Sequence, residues 1–180
     1  MLSKTIQKFL DANKIKYEVI KHKTVYTAFD KAATLRAKPQ EVGKSVVVCF
    51  DKKHYMLGLI PANKNLDKKK LLKTINNSPD SPSYFKRGVG GVKNKRIHYS
   101  HIDFTSEKWM KANFKGVKLG ATPPFGLLYK LPFFIDNALT KPLKIIVNGG
   151  NYELSIKLSP ASLIKLSPSQ IKGSFSMAKK

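Results

Sequence analysis

Apolar positions recur along this chain at two spacings, and the two spacings sort its segments into helices and strands. Leu2, Ile6, Phe9 and Leu10 fall at helical intervals with Lys4 and Lys8 between them, which predicts an amphipathic first helix. Tyr17 to His22 alternates like a half-buried strand, and Thr27, with Asp30 three positions on, is placed to cap a helix over 28–37. The run Lys44-Ser-Val-Val-Val-Cys-Phe50 is the most strand-like in the chain, and Asp51-Lys-Lys53 turns it into a second strand over 54–60, a central hairpin.

Later segments are shorter. Asp67 can cap a helix through Lys70 to Ile75, whereas 76–91, with Pro79, Pro82, Gly88, Gly90 and Gly91, reads as irregular loop; the basic stretch between Lys64 and Lys86 reads as a mobile arm or, more commonly, a solvated charged face. A short strand is expected over 95–99 and a helix over 106–114 around Trp109. Strands follow near 133–136, 143–147 and 152–158, and Ser159-Pro160 supplies the N-cap and first residue of a helix through Leu166. Irregular alternation with hairpin-length connections predicts a single α+β domain over 1–166 built on a mixed sheet, not a doubly wound parallel one. The segment 167–180 reads as a polar, basic and partly disordered tail.

Charge narrows the class of partner. The 180 residues carry 34 basic and 11 acidic side chains, a formal net charge of +23. Such a field attracts polyanions, nucleic acid first and an anionic membrane surface second. All but three of the basic residues (Arg36, Arg87, Arg96) are lysines, which meet phosphate as point charges and seldom read base edges. The charge therefore argues for holding a backbone. One cysteine, Cys49, excludes an internal disulfide and fits a reducing compartment; set in an apolar strand, it reads as a buried inert thiol. No apolar run reaches the ~20 residues of a membrane-spanning helix. The expectation is a soluble cytoplasmic protein.

Several chemistries lack support. Four scattered histidines and one cysteine make no convincing metal site, and no cofactor is expected. Gly88-Val-Gly-Gly91 lacks the Lys-Ser/Thr ending of a phosphate-binding loop, and no serine sits in a nucleophile elbow. What the residues can support is hydrolysis by an oriented water, with a developing oxyanion stabilised by a cation and main-chain donors. Lys44, opening the hairpin, is the candidate cation; Gly149 and Gly150, in the turn Asn148-Gly-Gly150, are candidate donors. The second glycine-rich turn, Gly120-Ala-Thr-Pro-Pro-Phe-Gly126, combines prolines that fix φ with glycines that allow close approach, the makings of a rigid pocket wall. By residue type alone Lys44 is one surface charge among many.

Together these segments resemble the YbaK family, the aminoacyl-tRNA deacylases related to the editing insertion of bacterial prolyl-tRNA synthetase. His22, Thr27 opening a helix, Gly43-Lys-Ser-Val-Val-Val48, the Gly120–Gly126 loop, Asp136, Asn148-Gly-Gly150 and Leu158-Ser-Pro160 occur in the family's order, over about 17–166. The resemblance implies a curved mixed sheet flanked by helices and hydrolysis of the ester that joins a wrong amino acid to tRNA, typically tRNA for proline. It implies Lys44 as the essential residue. It places Ser45, Thr122, Pro123, Pro124, Phe125, Gly126, Asn148, Gly149 and Gly150 around the substrate, with Gly120, His22 and Thr27 beside them. The implied partners are the tRNA acceptor end and prolyl-tRNA synthetase, in cis or in trans. Alanine and cysteine are the expected errors. Ala121 stands where a second glycine is common, and Asn151 follows the glycine pair where relatives place other polar residues, so substrate identity does not carry over. Asp136 reads as a strand-end residue, and His22 as a structural group that could also wall the pocket. A non-catalytic RNA-binding module of the same fold, and a deacylase acting on small esters without tRNA, are the competing readings.

Overall fold

The computed structural model describes residues 1–78, 98–167 and 170–179. Its centre is the expected hairpin: β2 (Gly43–Phe50) pairs antiparallel with β3 (His54–Pro61) along its full length, from Gly43 opposite Pro61 to Phe50 opposite His54. β5 (Ile102–Phe104) adds to the free edge of β2. On the other side β6 (Phe133–Asp136) runs parallel to β3, and β9 (Gln170–Gly173) runs parallel to β6, giving the order β5-β2-β3-β6-β9. A second sheet, β1-β8-β7, is antiparallel (β1 Tyr17–Lys21, β7 Ile145–Asn148, β8 Leu154–Leu158). A parallel bridge between Val42 and Ile146 joins the start of β2 to β7, so the two sheets meet at this edge. The α+β class and the mixed sheet are as read from the sequence.

Alternation along β2 divides the interior in two. Val47 packs with Leu57, Phe125, Phe133, Ile156 and the first helix, α1 (Lys4–Ala12). Val48 and Phe50 pack with Met56, Ile60, Phe134 and α3 (Lys68–Asn77) on the other face. A small third cluster, Ala32, Val42, Ala62 and Ile146, seats α2 (Ala28–Thr34) where the sheets meet. The caps form as the sequence predicts: Thr27, Asp67 and Ser159 each accept from the amide three residues on. α2 stops at Thr34, three residues before its expected end. Arg36 takes φ +49° and lets Ala37 N–H reach back to Ala32 C=O, a left-handed stop made without the usual glycine.

The expected strand over 95–99 falls largely outside the described residues, as does most of the loop over 76–91; the strand of this region is β5, after Tyr99. The segment 170–179 is not a disordered tail, and the domain extends past 166. Ile171 and Phe175 are buried, β9 completes the main sheet, and β10 (Ser176–Ala178) pairs antiparallel with β4 (Lys64–Leu66). Asp136 holds this crossing. Its carboxylate accepts from Phe175 N and Ser176 N, both at 2.9 Å, as well as from Ala138 N. Asp136→Asn keeps the shape but turns one acceptor into a donor facing an amide. It is expected to cost about 2 kcal/mol, and hydrogen exchange should show the Phe175 and Ser176 amides losing protection first; unchanged exchange there would rule out this anchoring role.

Candidate functional site

The two glycine loops that lie far apart in sequence meet in space. β7 ends in Asn148, 4 % exposed, and its side chain joins three segments. The Asn148 Nδ2 donates to Gly120 C=O at 3.2 Å and to Thr122 C=O at 3.3 Å, while Oδ1 accepts a short hydrogen bond from Lys31 Nζ on α2. Gly150 N–H donates to Ala121 C=O, and Lys118 N–H to Gly150 C=O. Tyr152 ties in Leu119 through its hydroxyl, and its ring packs edge-on against Tyr26. Gly150 holds φ +96°, a conformation that side chains rarely adopt, and Gly149 lies so close to Leu154 C=O that a Cβ would sit 2.9 Å from that oxygen.

This tight joining removes one expected role. Gly149 N–H donates to Leu154 C=O and Gly150 N–H to Ala121 C=O, each at 3.1 Å. Neither amide is free to meet an oxyanion, so the glycine pair braces the two loops instead of supplying donors. Phe125 also departs from expectation: fully buried and packed 6.0 Å from Phe9, it belongs to the core, not to a pocket wall. Gly126 opens a short helix turn, α5 (Gly126–Tyr129), where a Cβ would stand 2.7 Å from Leu131 C=O. Thr122, Pro123 and Pro124 are buried beneath the joined loops, with Pro123 close to Gly150.

Lys44 sits on the neighbouring strand. β2 and β7 run parallel from the Val42–Ile146 bridge, so Lys44 and Asn148, each two residues further, keep to the face that Val42 and Ile146 share with Ala32. The Lys44 ammonium is half-buried and donates to Lys64 C=O at 2.8 Å. Burial first, and the charge of Lys179 second, push its pKa below the usual lysine value. It lines a groove of about 810 Å³ together with Val46, Ile60, Leu66, Phe104 and Met177. Ser45 goes to the opposite face of β2, where its Oγ is buried with no hydrogen-bond partner among the described residues. The structure therefore separates Ser45 from Lys44.

His22 is fully engaged. Its Nδ1 lies 2.9 Å from Lys23 C=O and its Nε2 2.9 Å from the Oγ of buried Ser155, which fits an imidazole that donates through Nδ1 and accepts through Nε2. It anchors the loop before α2, the structural role read from the sequence. Thr27 caps α2, and its hydroxyl donates to the Asp30 carboxylate at 2.7 Å. Cys49 is half-buried, not buried. Among the described residues no group of three or more His, Cys, Asp or Glu could hold a metal ion.

Sequence reasoning missed Lys31. It is 3 % exposed, and burial pushes its pKa down from 10.5 to about 8. The signal was present: Lys31 interrupts the apolar stripe Ala28, Ala32 and Leu35 that seats α2. Because the folded pKa is depressed, the unfolded chain binds the extra proton between about pH 8 and 10.5, and stability rises with pH through that window. Below it the buried ammonium costs about 3 kcal/mol at ~1.36 kcal/mol per unit. Lys31→Met should flatten this rise relative to the unsubstituted chain, as read by urea denaturation at neutral and alkaline pH; identical slopes in both proteins would refute the assignment.

Residues 94–166 match the family model of the aminoacyl-tRNA editing domain. The matched segment contains both glycine loops and Asp136, whereas His22, Thr27 and Lys44 precede it. This segment of the chain is thus similar to the aminoacyl-tRNA editing domain, in line with the resemblance read from the sequence. No curated protein matches this sequence at a significant level. Among solved structures, the fold is similar to that of a hypothetical protein, with TM-score 0.74 and 15% identity over 97% of this chain and 100% of that one. It is also similar to a "putative trans-editing enzyme for prolyl tRNA synthetase", with TM-score 0.72 and 18% identity over 99% and 100% of the two chains. A third, a "putative signal transduction protein" from Marinobacter aquaeolei VT8, has TM-score 0.67 and 12% identity, and 31% of that longer chain is covered.

Proposed function

We propose that this protein is an aminoacyl-tRNA deacylase that clears mischarged tRNA, with tRNA for proline carrying alanine or cysteine as its substrate and Lys44 as its catalytic residue. The observation that carries the reading is a half-buried, partly desolvated ammonium on the same face of the joined sheets as the braced glycine loops. Water attacks the ester carbonyl carbon, and negative charge gathers on the carbonyl oxygen. The C–O bond to the terminal ribose then breaks, and the ribose oxygen takes the proton that water gives up. A cation with reduced hydration stabilises that oxyanion more than a fully solvated one does. With the Gly149 and Gly150 amides committed elsewhere, Lys44 carries more of this task than the sequence suggested, and the terminal ribose hydroxyl is left to orient the water.

A synthetase site distinguishes a smaller or isosteric apolar amino acid by only about 1 to 3 kcal/mol, so a second site must remove the error. In this reading the compact loop of Thr122, Pro123 and Pro124 limits the substrate to a small side chain. The +23 charge supplies the hold on the RNA, in trans or beside prolyl-tRNA synthetase. The test is release of amino acid from tRNA-Pro charged separately with alanine, cysteine and proline. Hydrolysis of the alanine or cysteine ester but not the proline ester supports the reading. Salt-sensitive tRNA binding with no hydrolysis of any of the three would instead favour a binding module.

A further inference from the structure

An exposed aromatic ring, Phe104, lines the groove beside Lys44, and a second, Phe29, is exposed on α2; each has a lysine over one face. Phe104 on β5 is 55 % exposed, with Lys68 Nζ 4.9 Å from its ring centroid. Phe29 on α2 is 49 % exposed, with Lys179 Nζ 5.1 Å from its centroid. Lys179, which lies over Phe29, is also the charge that helps lower the pKa of Lys44. Met177, 43 % exposed on β10, lines the groove with Phe104. Of the nearby acids, Asp67 is turned to the Lys70 amide and ammonium, and Asp103 is paired with His101 and Lys68. Lys68 with Phe104, and Lys179 with Phe29, therefore form two lysine–aromatic pairs, and Lys179 also acts on Lys44.

We propose that this groove seats the unpaired 3′ end of an RNA, with Phe104 and Phe29 as stacking platforms for bases and Lys68 and Lys179 meeting the phosphates. The proposal rests on the deacylase reading, since it places the strand that would bear the ester beside Lys44. A volume of about 810 Å³ lies within the ~300–1,000 Å³ of small-ligand sites and suits a few nucleotides, not a duplex. Base-on-aromatic stacking beside a basic groove is how single strands are held without sequence reading. A lysine-rich chain with few arginines fits that mode.

The experiment compares the unsubstituted protein with the Phe29→Ala/Phe104→Ala and Phe29→Trp/Phe104→Trp variants, measuring affinity for a short fluorescent single-stranded RNA and KM and kcat on mischarged tRNA. The alanine pair should weaken binding and raise KM by about tenfold or more, leave kcat within about twofold and leave affinity for duplex RNA unchanged; the tryptophan pair should restore binding. Both rings are exposed, so circular dichroism should show each variant folded. Equal affinity in all three proteins overturns the proposal. Ester hydrolysis by a protein that binds no single strand overturns the seat and leaves the deacylase reading standing. Single-strand binding lost in the alanine pair, with no ester hydrolysed by any protein, keeps the seat and removes the deacylase reading.

Discussion

Lys44→Ala is expected to reduce hydrolysis of mischarged tRNA by about 10²–10³-fold, the usual cost of removing one group that faces a developing oxyanion. The loss should fall on kcat, because a charge gathering on the carbonyl oxygen is met only in the transition state. The fold should survive. Lys44 is only half-buried, its hydrogen-bond partner among the described residues is the Lys64 carbonyl, and β2 is held by full-length pairing with β3. Lys44→Arg keeps the charge but exchanges a compact ammonium for a planar fork, and should recover only part of the rate. Rates of amino-acid release for the three proteins, with melting curves beside them, decide the matter. A Lys44→Ala protein with full kcat would remove Lys44 from the chemistry whatever the substrate proves to be.

Asn148→Ala is expected to be the most damaging single change to stability outside the two main cores, at about 4 kcal/mol. It removes the acceptor of a buried ammonium, worth about 1.5–3 kcal/mol, and two neutral hydrogen bonds worth about 1 kcal/mol each. Adding Lys31→Met to Asn148→Ala takes away the stranded charge, so the double variant should regain about 2 kcal/mol. That non-additivity is the signature of one network. Urea denaturation of the four proteins of this cycle supplies the numbers. Additive losses would mean that Lys31 and Asn148 are not coupled as their contact implies.

Features carried by local chemistry were legible in the sequence. The caps at Thr27, Asp67 and Ser159 follow from a side chain and the amides just after it, and the central hairpin follows from alternation and a short turn. Pairings over long separations were not. The roles of Gly149 and Gly150 depend on where Leu154 and Ala121 place their carbonyls, and no spacing rule gives that. Lys31 meets a partner 117 residues away. β9 and β10 were hidden because each is short, with Ile171 buried in β9 and Phe175 buried between the two strands. For the site, the sequence marked the two glycine loops and Lys44. It did not show that Phe125 and Ser45 turn away, nor that a strand from 176–178 walls the groove.

Asn148 grips the Gly120–Gly126 loop by its main chain: the acceptors are the carbonyls of Gly120 and Thr122, and Gly150 bonds the carbonyl of Ala121. None of these links uses a side chain of the loop. Residues 121 and 122 can therefore be exchanged, within the volume that their burial allows, without loosening the brace. In the proposed deacylase, retuning of selectivity is thereby uncoupled from the scaffold. A screen for altered amino-acid preference should find its tolerated variants at Ala121 and Thr122, and few at Asn148.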